Sequence, residues 1–167
     1  MRSDQHHLNC TIRAPRPADF EKMAELAAQL GYPCTPQQLE RRVAEMPDGK
    51  HYAVYVADLA EDEIAGWIGA YVFRSVELDS SAEISGLVVD QKVRSRGIGK
   101  LLLEAAERWA LSRGCAAITV RSNVKRQDAH RFYEQNGYEW TKTQKSFRKT
   151  LTARAADRSR PGFGVPC

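Results

Sequence analysis

Apolar residues in the first part of the chain recur every three or four positions in two segments, a spacing typical of amphipathic helices. The first segment, residues 18–30, begins with acidic side chains and ends at Gly31, which favours a helix stop. The second segment, residues 35–46, opens with Thr-Pro, an N-cap residue followed by a residue suited to the first helical position. A weakly alternating stretch at 9–14 precedes both and predicts a short strand.

Three β-rich stretches follow these helices, at 51–59, 64–74 and 82–89. Short turns that contain acidic residues or serine separate them, so each stretch can pair with the one before it. The pattern therefore predicts an antiparallel meander.

The second half of the chain alternates between helical and extended patterns. Residues 97–113 place apolar side chains on one helical face, which predicts a long amphipathic helix. The short apolar run 115–120 predicts a buried strand beside it. A further helix is predicted at 127–135 and the last strands at 138–151. The order β-α-α-β-β-β-α-β-α-β-β indicates a mixed α/β domain.

Length and composition are those of a globular protein with one domain. The chain has 167 residues, of which 43% are hydrophobic and 28% are charged. No apolar run is long enough to cross a bilayer and the N-terminus lacks a signal-peptide pattern, so a cytoplasmic location is expected. We expect a flexible start at 1–7, a folded domain at 8–151 and a disordered tail at 152–167.

The two halves of the chain carry opposite charge. Residues 1–90 contain 8 lysines and arginines against 15 acidic residues, a net charge of −7, whereas residues 91–167 contain 17 against 6, a net charge of +11. The C-terminal half therefore favours an anionic ligand, unless its charges only form a solvated surface. The four cysteines form no C-x-x-C pair, so neither a metal site nor a disulfide framework is predicted.

A basic turn with two glycines, residues 94–100, lies between a predicted strand and a predicted helix. A Walker A loop would need glycine in place of Arg94 and a hydroxyl residue in place of Leu101, and a dinucleotide fingerprint would need a third glycine in place of Leu102. What remains is a set of free N–H groups at a helix N-terminus beside basic side chains, which suits a pyrophosphate. An ordinary strand-to-helix turn with solvated arginines is the alternative.

Two motifs in the second half resemble those of one enzyme family. The turn has the pattern R-x-x-G-x-G after a strand that ends L-V-V, and residues 129–138 have the sequence A-H-R-F-Y-E-Q-N-G-Y. The first resembles the acetyl-CoA motif of the GCN5-related N-acetyltransferase (GNAT) superfamily, and the second resembles that family's A-x-x-F-Y-E-x-x-G-[FY] segment. Together with the order of elements, the resemblance covers residues 8–151. It implies a mostly antiparallel mixed sheet of six or seven strands flanked by about four helices.

The resemblance also implies where acetyl-CoA binds. In the family, the strand before the turn parts from its neighbour at a bulge, pantetheine pairs with its main chain, and the pyrophosphate lies on the N–H groups of the turn. Many members have asparagine where this chain has Arg126, and Asn123 lies three residues earlier, so both are candidates for further contacts. The predicted cofactor-binding residues are Leu87, Val88, Val89, Arg94, Ser95, Arg96, Gly97, Ile98, Gly99, Lys100, Asn123 and Arg126.

N-acetyl transfer requires a neutral amine, a stabilised oxyanion and a proton for the departing thiolate. An amine with a pKa near 10 is only about 0.1% neutral at pH 7, so a base is useful. The resemblance implies this role for Glu83, with Glu77 and Asp79 as weaker candidates; the alternative for Glu83 is an exposed edge-strand carboxylate. Tyr133 matches the family's tyrosine that protonates the coenzyme A sulfur, whereas without the family it would be assigned to core packing. A backbone N–H near Val89 would hold the oxyanion.

The leading hypothesis is an acetyl-CoA-dependent N-acetyltransferase in which a primary amine of a small molecule or peptide attacks directly within a ternary complex. The acidic N-terminal half favours a cationic amine, and the resemblance suggests a homodimer. One alternative is a CoA-binding regulatory domain without catalysis. A nucleic-acid-binding domain on the basic half is a further alternative, although most of its aromatic residues fall at packing positions. No membrane partner is expected.

Overall fold

The computed structural model describes residues 9–46, 50–59, 63–77 and 79–151, so the predicted flexible start and disordered tail lie outside the described residues. Within these ranges the chain forms one five-stranded sheet and four α-helices. The strands are β1 (Cys10–Arg13), β2 (Tyr52–Leu59), β3 (Glu63–Phe73), β4 (Ser81–Val89) and β5 (Ala117–Val120). The helices are α1 (Phe20–Leu30), α2 (Pro36–Ala44), α3 (Ile98–Ser112) and α4 (Gln127–Gln135).

The sheet has the strand order β1-β2-β3-β4-β5. Neighbours from β1 to β4 pair antiparallel, whereas β5 pairs parallel to β4. A parallel pair requires a long crossover, and α3 provides it. The predicted meander, the mixed sheet and the four helices are thereby confirmed within the described residues.

One face of the sheet is covered by α1, with α2 packed beside it. At the end of α1, Gly31 has a φ of 98°, a left-handed conformation that glycine adopts without strain. At the start of α2, Thr35 Oγ1 accepts from the Gln38 N–H at 3.2 Å and Gln38 Oε1 accepts from the Thr35 N–H at 3.0 Å. The indole of Trp67 in β3 donates to the Met23 carbonyl at 3.1 Å and so ties α1 to the sheet.

The two faces of the sheet have separate apolar cores. The residues buried on the α1 face are Phe20, Met23, Leu26, Val56, Ile64 and Val88. The core on the opposite face, under α3, includes Ile68, Ile84, Ile98, Leu102, Leu103 and Ala106. Phe132 and Tyr133 of α4 pack against this second core, so α3 and α4 share one face. Burial of each large side chain contributes roughly 1.5–3 kcal/mol.

The strands predicted at 138–151 do not form, so the sheet has five strands among the described residues rather than six or seven. In the stretch 139–150 the only large apolar side chains are Trp140 and Phe147, which are 80% and 90% exposed. Because this stretch buries so little apolar surface within one chain, the hydrophobic gain does not offset the conformational entropy that would be lost if it formed strands. As a consequence β5 lies at the sheet edge with Ala117 and Thr119 exposed, and the prediction of a buried strand is wrong.

No helix in the described ranges combines the length and the apolar character needed to cross a bilayer.

Candidate active site

A β-bulge divides β4 into two parts. The register between β3 and β4 passes from the pair Gly69–Gly86 to the pair Ala70–Ile84, so Ser85 is an extra residue in β4. A bulge of this kind bends the strand and increases its twist. It therefore changes the direction of β4 at the point where its pairing with β5 also ends.

The strands β4 and β5 pair only along the first part of β4. Their register runs from Ser81–Ala117 to Ile84–Val120 and stops there, although β4 continues to Val89. Within the described residues, the main chain of 85–89 has β3 on one side and no strand on the other. This free edge, which holds the predicted residues Leu87 to Val89, can pair with an extended ligand as a sheet edge pairs with a peptide.

The glycine turn follows β4 and begins α3. Gly97 is the N-cap of α3 with a φ of 82°, and no side chain caps this helix end. Ser95 also has a positive φ, 62°, which is uncommon for a residue with a side chain. Left-handed residues beside an uncapped helix N-terminus direct backbone N–H groups toward a common point, an arrangement that binds anions. Ser95, Gly97 and Ile98 therefore belong to a backbone arrangement of the kind that can bind an anion.

The two glycines of the turn are needed for different reasons. A Cβ on Gly97 would meet no atom within 4 Å, so its left-handed φ is what favours glycine. A Cβ on Gly99 would lie 3.1 Å from Cε2 of Phe132 in α4. The small size of Gly99 thus allows α4 to pack on the start of α3, and this contact joins the two sequence motifs in space.

Basic side chains of the turn differ in their partners. The Nε of Arg94 donates to the Val89 carbonyl at 3.2 Å and so folds back on the end of β4. The ammonium of Lys100 lies 3.9 Å from Glu104 on the next turn of α3, and Arg96 is exposed. All three are therefore close to the uncapped helix end and add positive charge to it.

An ion pair anchors the end of β4 to α1. The Asp90 N–H donates to the Ala65 carbonyl at 2.7 Å, and the buried Asp90 carboxylate lies 2.8 Å from the ammonium of Lys22. The hydrogen bond from Lys22 and a second one from the Lys92 N–H lower the pKa of Asp90 below its usual range. Because only residues 91–93 separate Asp90 from the turn, this anchor restricts where the turn begins.

Glu83 lies in the first part of β4, beside the point where β4 and β5 part. Its carboxylate is 14% exposed, and its Oε1 accepts from Nε of Arg121 at 2.8 Å and lies 2.5 Å from Nη2 of the same residue. Burial, and then the hydrogen bond with Glu83, raise the pKa of the neighbouring Tyr71. The alternative of an exposed edge carboxylate is wrong, since β4 lies between β3 and β5 at this position. Glu77 and Asp79, by contrast, are exposed in the turn before β4.

Tyr133 lies in α4 on the α3 face of the sheet. Its half-buried ring packs between Phe132 and Tyr138, with centroid distances of 5.3 Å and 5.5 Å. Burial raises the pKa of Tyr133 to about 12, and the positive charge of Arg126 opposes this rise. The hydroxyl therefore keeps its proton at neutral pH, as a proton donor must.

The side chains of Asn123 and Arg126 have partners within the protein. Asn123 Oδ1 accepts from the Lys125 N–H at 3.0 Å and forms a tight turn before α4. The Nη2 of Arg126 donates to the Leu30 carbonyl at the C-terminus of α1, where the helix dipole favours a cation. Their predicted contacts with the cofactor stay predictions.

The fold thus brings most of the predicted residues to one gap. The free edge of β4, the glycine turn and α4 surround it, and Glu83 lies where the two strands part. Sequence reasoning missed Arg121 and Tyr71, which contact each other and Glu83 there. The position of Arg121 directly after the predicted strand 115–120 was the one indication available for it.

Comparisons with known proteins identify this arrangement. A family model described as the Acetyltransferase (GNAT) family matches residues 20–138. The uncharacterized N-acetyltransferase YhdJ of Bacillus subtilis (strain 168) is 32% identical over 128 residues, which are 77% of this chain and 87% of the relative. Aminoglycoside N(6')-acetyltransferase type 1 of Stenotrophomonas maltophilia is 29% identical over 146 residues, 84% of this chain and 94% of the relative.

Solved structures show the same fold. A GNAT family acetyltransferase from Staphylococcus aureus superimposes with a TM-score of 0.65 and 26% identity, over 86% of this chain and 99% of that one. The matched region includes the free strand edge, the glycine turn and α4. The chain therefore belongs to the GNAT acetyltransferase family and is an N-acetyltransferase that uses acetyl-CoA.

Proposed function

We propose that this chain transfers the acetyl group of acetyl-CoA to a primary amine by direct attack within a ternary complex, with Glu83 as base and Tyr133 as acid. The observation that carries the proposal is the gap between β4 and β5. Its free main-chain edge at 85–89 continues into the uncapped N-terminus of α3. An extended amide chain that ends in a pyrophosphate, as in coenzyme A, fits an edge followed by an anion site.

Particular groups of the chain suit each part of acetyl-CoA, which when bound supplies the reactive thioester. The main chain of Leu87 to Val89 offers hydrogen bonds to the pantetheine amides. Backbone N–H groups between Arg94 and Lys100 receive the pyrophosphate, and the basic side chains of the turn add attraction that does not depend on exact geometry. A backbone N–H near Val89 is proposed to hold the oxyanion.

Proton transfer is assigned to two side chains on opposite faces of the sheet. The Glu83 carboxylate accepts the ammonium proton of the acceptor, directly or through a water molecule, so that the amine can attack. The Tyr133 hydroxyl donates its proton to the departing sulfur, and its pKa of about 12 keeps that proton in place until then.

The proposal also includes an oligomeric state, a location and a direction of approach for the amine. A homodimer is supported by two features that a second copy could cover, the exposed apolar side chains of Trp140, Phe147 and Leu151 and the edge strand β5. A cytoplasmic location is supported by the free thiols of Cys10, Cys34 and Cys115, since cysteines stay reduced in that compartment. The amine is expected to approach from the acidic N-terminal half, beside α1 and α2.

The test is a calorimetric titration with acetyl-CoA, CoA and ATP at one ionic strength, followed by a thiol-release assay with primary amines. Micromolar binding of acetyl-CoA that ATP does not match, together with amine-dependent thiol release, is the expected result. Binding without thiol release from any amine would favour a regulatory CoA-binding domain instead. Equal binding of ATP would show that the glycine turn is a general anion site.

A further inference from the structure

The cluster of Glu83, Arg121 and Tyr71 lies where β4 and β5 part, and the transfer reaction leaves one of its groups unused. Arg121 directly follows Val120, the last residue of β5 that pairs with β4. The Nε of Arg121 donates to the Glu83 carboxylate, and its Nη2 lies 3.4 Å from the Tyr71 hydroxyl. The reaction requires a base at this point, but it does not require a guanidinium.

The protein engages the Arg121 guanidinium through Nε and Nη2, and Nη2 also contacts the Tyr71 hydroxyl. Both contacts with the carboxylate use Nε and Nη2, and both fall on the same oxygen, Oε1 of Glu83. Within the described ranges of the chain, the two N–H groups of Nη1 donate to no protein atom. The Arg121 side chain is 76% exposed, whereas that of Glu83 is 14% exposed. In this exposed side chain the two N–H groups of Nη1 therefore remain as charged donors that match a carboxylate or a phosphonate.

The direct contact between the two charges limits what can bind to both. A ligand that places an ammonium on Glu83 and an anion on Arg121 must hold its own opposite charges within a few ångströms of each other. Amine and acid groups that are one or two carbons apart satisfy this condition. A polycationic acceptor gains nothing from Arg121 and is repelled by it.

We propose that Arg121 is the specificity-determining residue of the acceptor site, an inference that rests on the proposed function. It binds the acid group of a small zwitterion whose primary amine lies one or two carbons from a carboxylate or phosphonate. Glu83 binds the amine of the same molecule and deprotonates it. The acceptor class is therefore that of amino acids and aminophosphonates rather than of polyamines or aminoglycosides.

The experiment compares acceptors that differ by one group. Thiol release is measured with 2-aminoethylphosphonate, with β-alanine, with ethylamine and with an aminoglycoside. The enzymes compared are wild type, Arg121→Gln, Arg121→Lys and Arg131→Gln. Arg131 is the matched control, because it is an exposed arginine of α4 that is paired with Asp128. Binding of 2-aminoethylphosphonate to the enzyme–CoA complex is measured in parallel by calorimetry, so that affinity is known independently of turnover.

Wild type is expected to prefer the two acids over ethylamine. Arg121→Gln is expected to lower kcat/KM for the acids about 10- to 100-fold through KM, the loss typical of a charge-assisted contact, and to leave ethylamine within about threefold. Arg121→Lys should recover part of the loss, since it keeps the charge but not the planar guanidinium donors. Arg131→Gln should leave all acceptors unchanged.

Three results would overturn the proposal. The first is an equal loss for acids and ethylamine in Arg121→Gln, which would make Arg121 only a support for Glu83. The second is efficient turnover of the aminoglycoside with no binding of the acids, in which case the acetyltransferase assignment stands and this inference alone fails. The third is no binding of 2-aminoethylphosphonate to wild type. Absence of acetyl-CoA binding would instead remove the proposed function itself.

Discussion

The two parts of β4 differ in the number of strands beside them. Residues Ser81–Ile84 pair with β3 on one side and with β5 on the other. Residues 86–89 pair with β3 alone, because the pairing with β5 ends at Val120. The first part presents a charged side chain, Glu83, held by a partner from beyond β5. The second part presents main-chain groups and continues into a helix N-terminus.

This difference shows how one strand supports two kinds of chemistry. A strand with neighbours on both sides has no free main-chain groups, so only its side chains can act. A strand that loses one neighbour gains a row of donors and acceptors, which a ligand can use without any particular side chain. The inserted residue Ser85 separates these two parts, and substitutions on each side of it should have separable effects.

The largest effect is expected in the first part. Glu83→Gln should lower kcat about 100- to 1,000-fold, the usual contribution of a general base, while the Kd for acetyl-CoA changes less than about twofold. Glu77→Gln is the matched control, since that carboxylate lies exposed in the turn before β4. Steady-state kinetics and calorimetry measure the two quantities. An equal loss in both variants would remove Glu83 from the reaction.

A smaller loss is expected at the proton donor. Tyr133→Phe should lower kcat about 10- to 100-fold with little change in the KM for acetyl-CoA. Tyr138→Phe is the control, because its hydroxyl donates to Glu107 at 3.0 Å and its loss should affect stability rather than kcat. Since the pKa of Tyr133 is about 12, the acid form persists as pH rises, and the pH profile of kcat should show no basic limb from Tyr133 below about pH 11. A full-rate Tyr133→Phe enzyme would refute this role.

The second part of β4 can be displaced from β3 by a single methyl group. A Cβ on Gly66 would lie 2.6 Å from the Val88 carbonyl oxygen, so Gly66→Ala should move the free edge of β4. We expect this variant to bind acetyl-CoA about tenfold more weakly and to lose about 2 kcal/mol of stability. A Cβ on Gly69 would lie 2.8 Å from Ser85 Oγ, which can rotate away, so Gly69→Ala should cost less than about 1 kcal/mol. Calorimetry and urea unfolding measure both. Equal effects of the two variants would contradict a special role for the free edge.

The anchor after β4 should show as a pH-dependent stability. Asp90→Asn is expected to lower the free energy of unfolding by about 1–2 kcal/mol at pH 7. The pKa of Asp90 is lower in the folded protein than in the unfolded chain. Its contribution to stability is therefore complete above the unfolded pKa and is lost as the pH falls through the folded pKa. The difference in unfolding free energy between wild type and variant should shrink below about pH 4. Glu25→Gln, which removes the exposed second partner of Lys22, should cost less than about 0.5 kcal/mol. A pH-independent difference would contradict this ion pair.

The smallest effect is expected in the turn that follows. Gly97→Ala and Gly114→Ala each place a side chain at a left-handed φ, 82° and 73°, with no atom in the way of the new Cβ. Both should lose about 1 kcal/mol of stability. Only Gly97→Ala should also raise the KM for acetyl-CoA, by about threefold, because only that end of α3 faces the proposed phosphate site. An equal KM for acetyl-CoA in both variants would contradict a phosphate site at this turn.

Most elements could be predicted because their patterns are local. The helix 127–135 has the predicted bounds, and Thr35 caps α2 as its type and position indicate. The predictions failed at 138–151, where β-favouring residues such as Tyr138 and Phe147 indicated strands. Strand formation there needs a partner and a buried face, and a strand propensity supplies neither.

The sequence by itself determined the helices, the meander, the glycine turn between a strand and a helix, and the two motifs that mark the family, because each depends on residues within a few positions of one another. Only the tertiary structure decided where β4 and β5 part, that Ser85 is the bulge, and that Arg121 meets Glu83 from 38 positions away. Those features depend on strand register and on contacts between distant segments, and a local pattern does not specify either. The chemistry of the site follows from residue types, whereas its geometry follows from which strands remain without a neighbour.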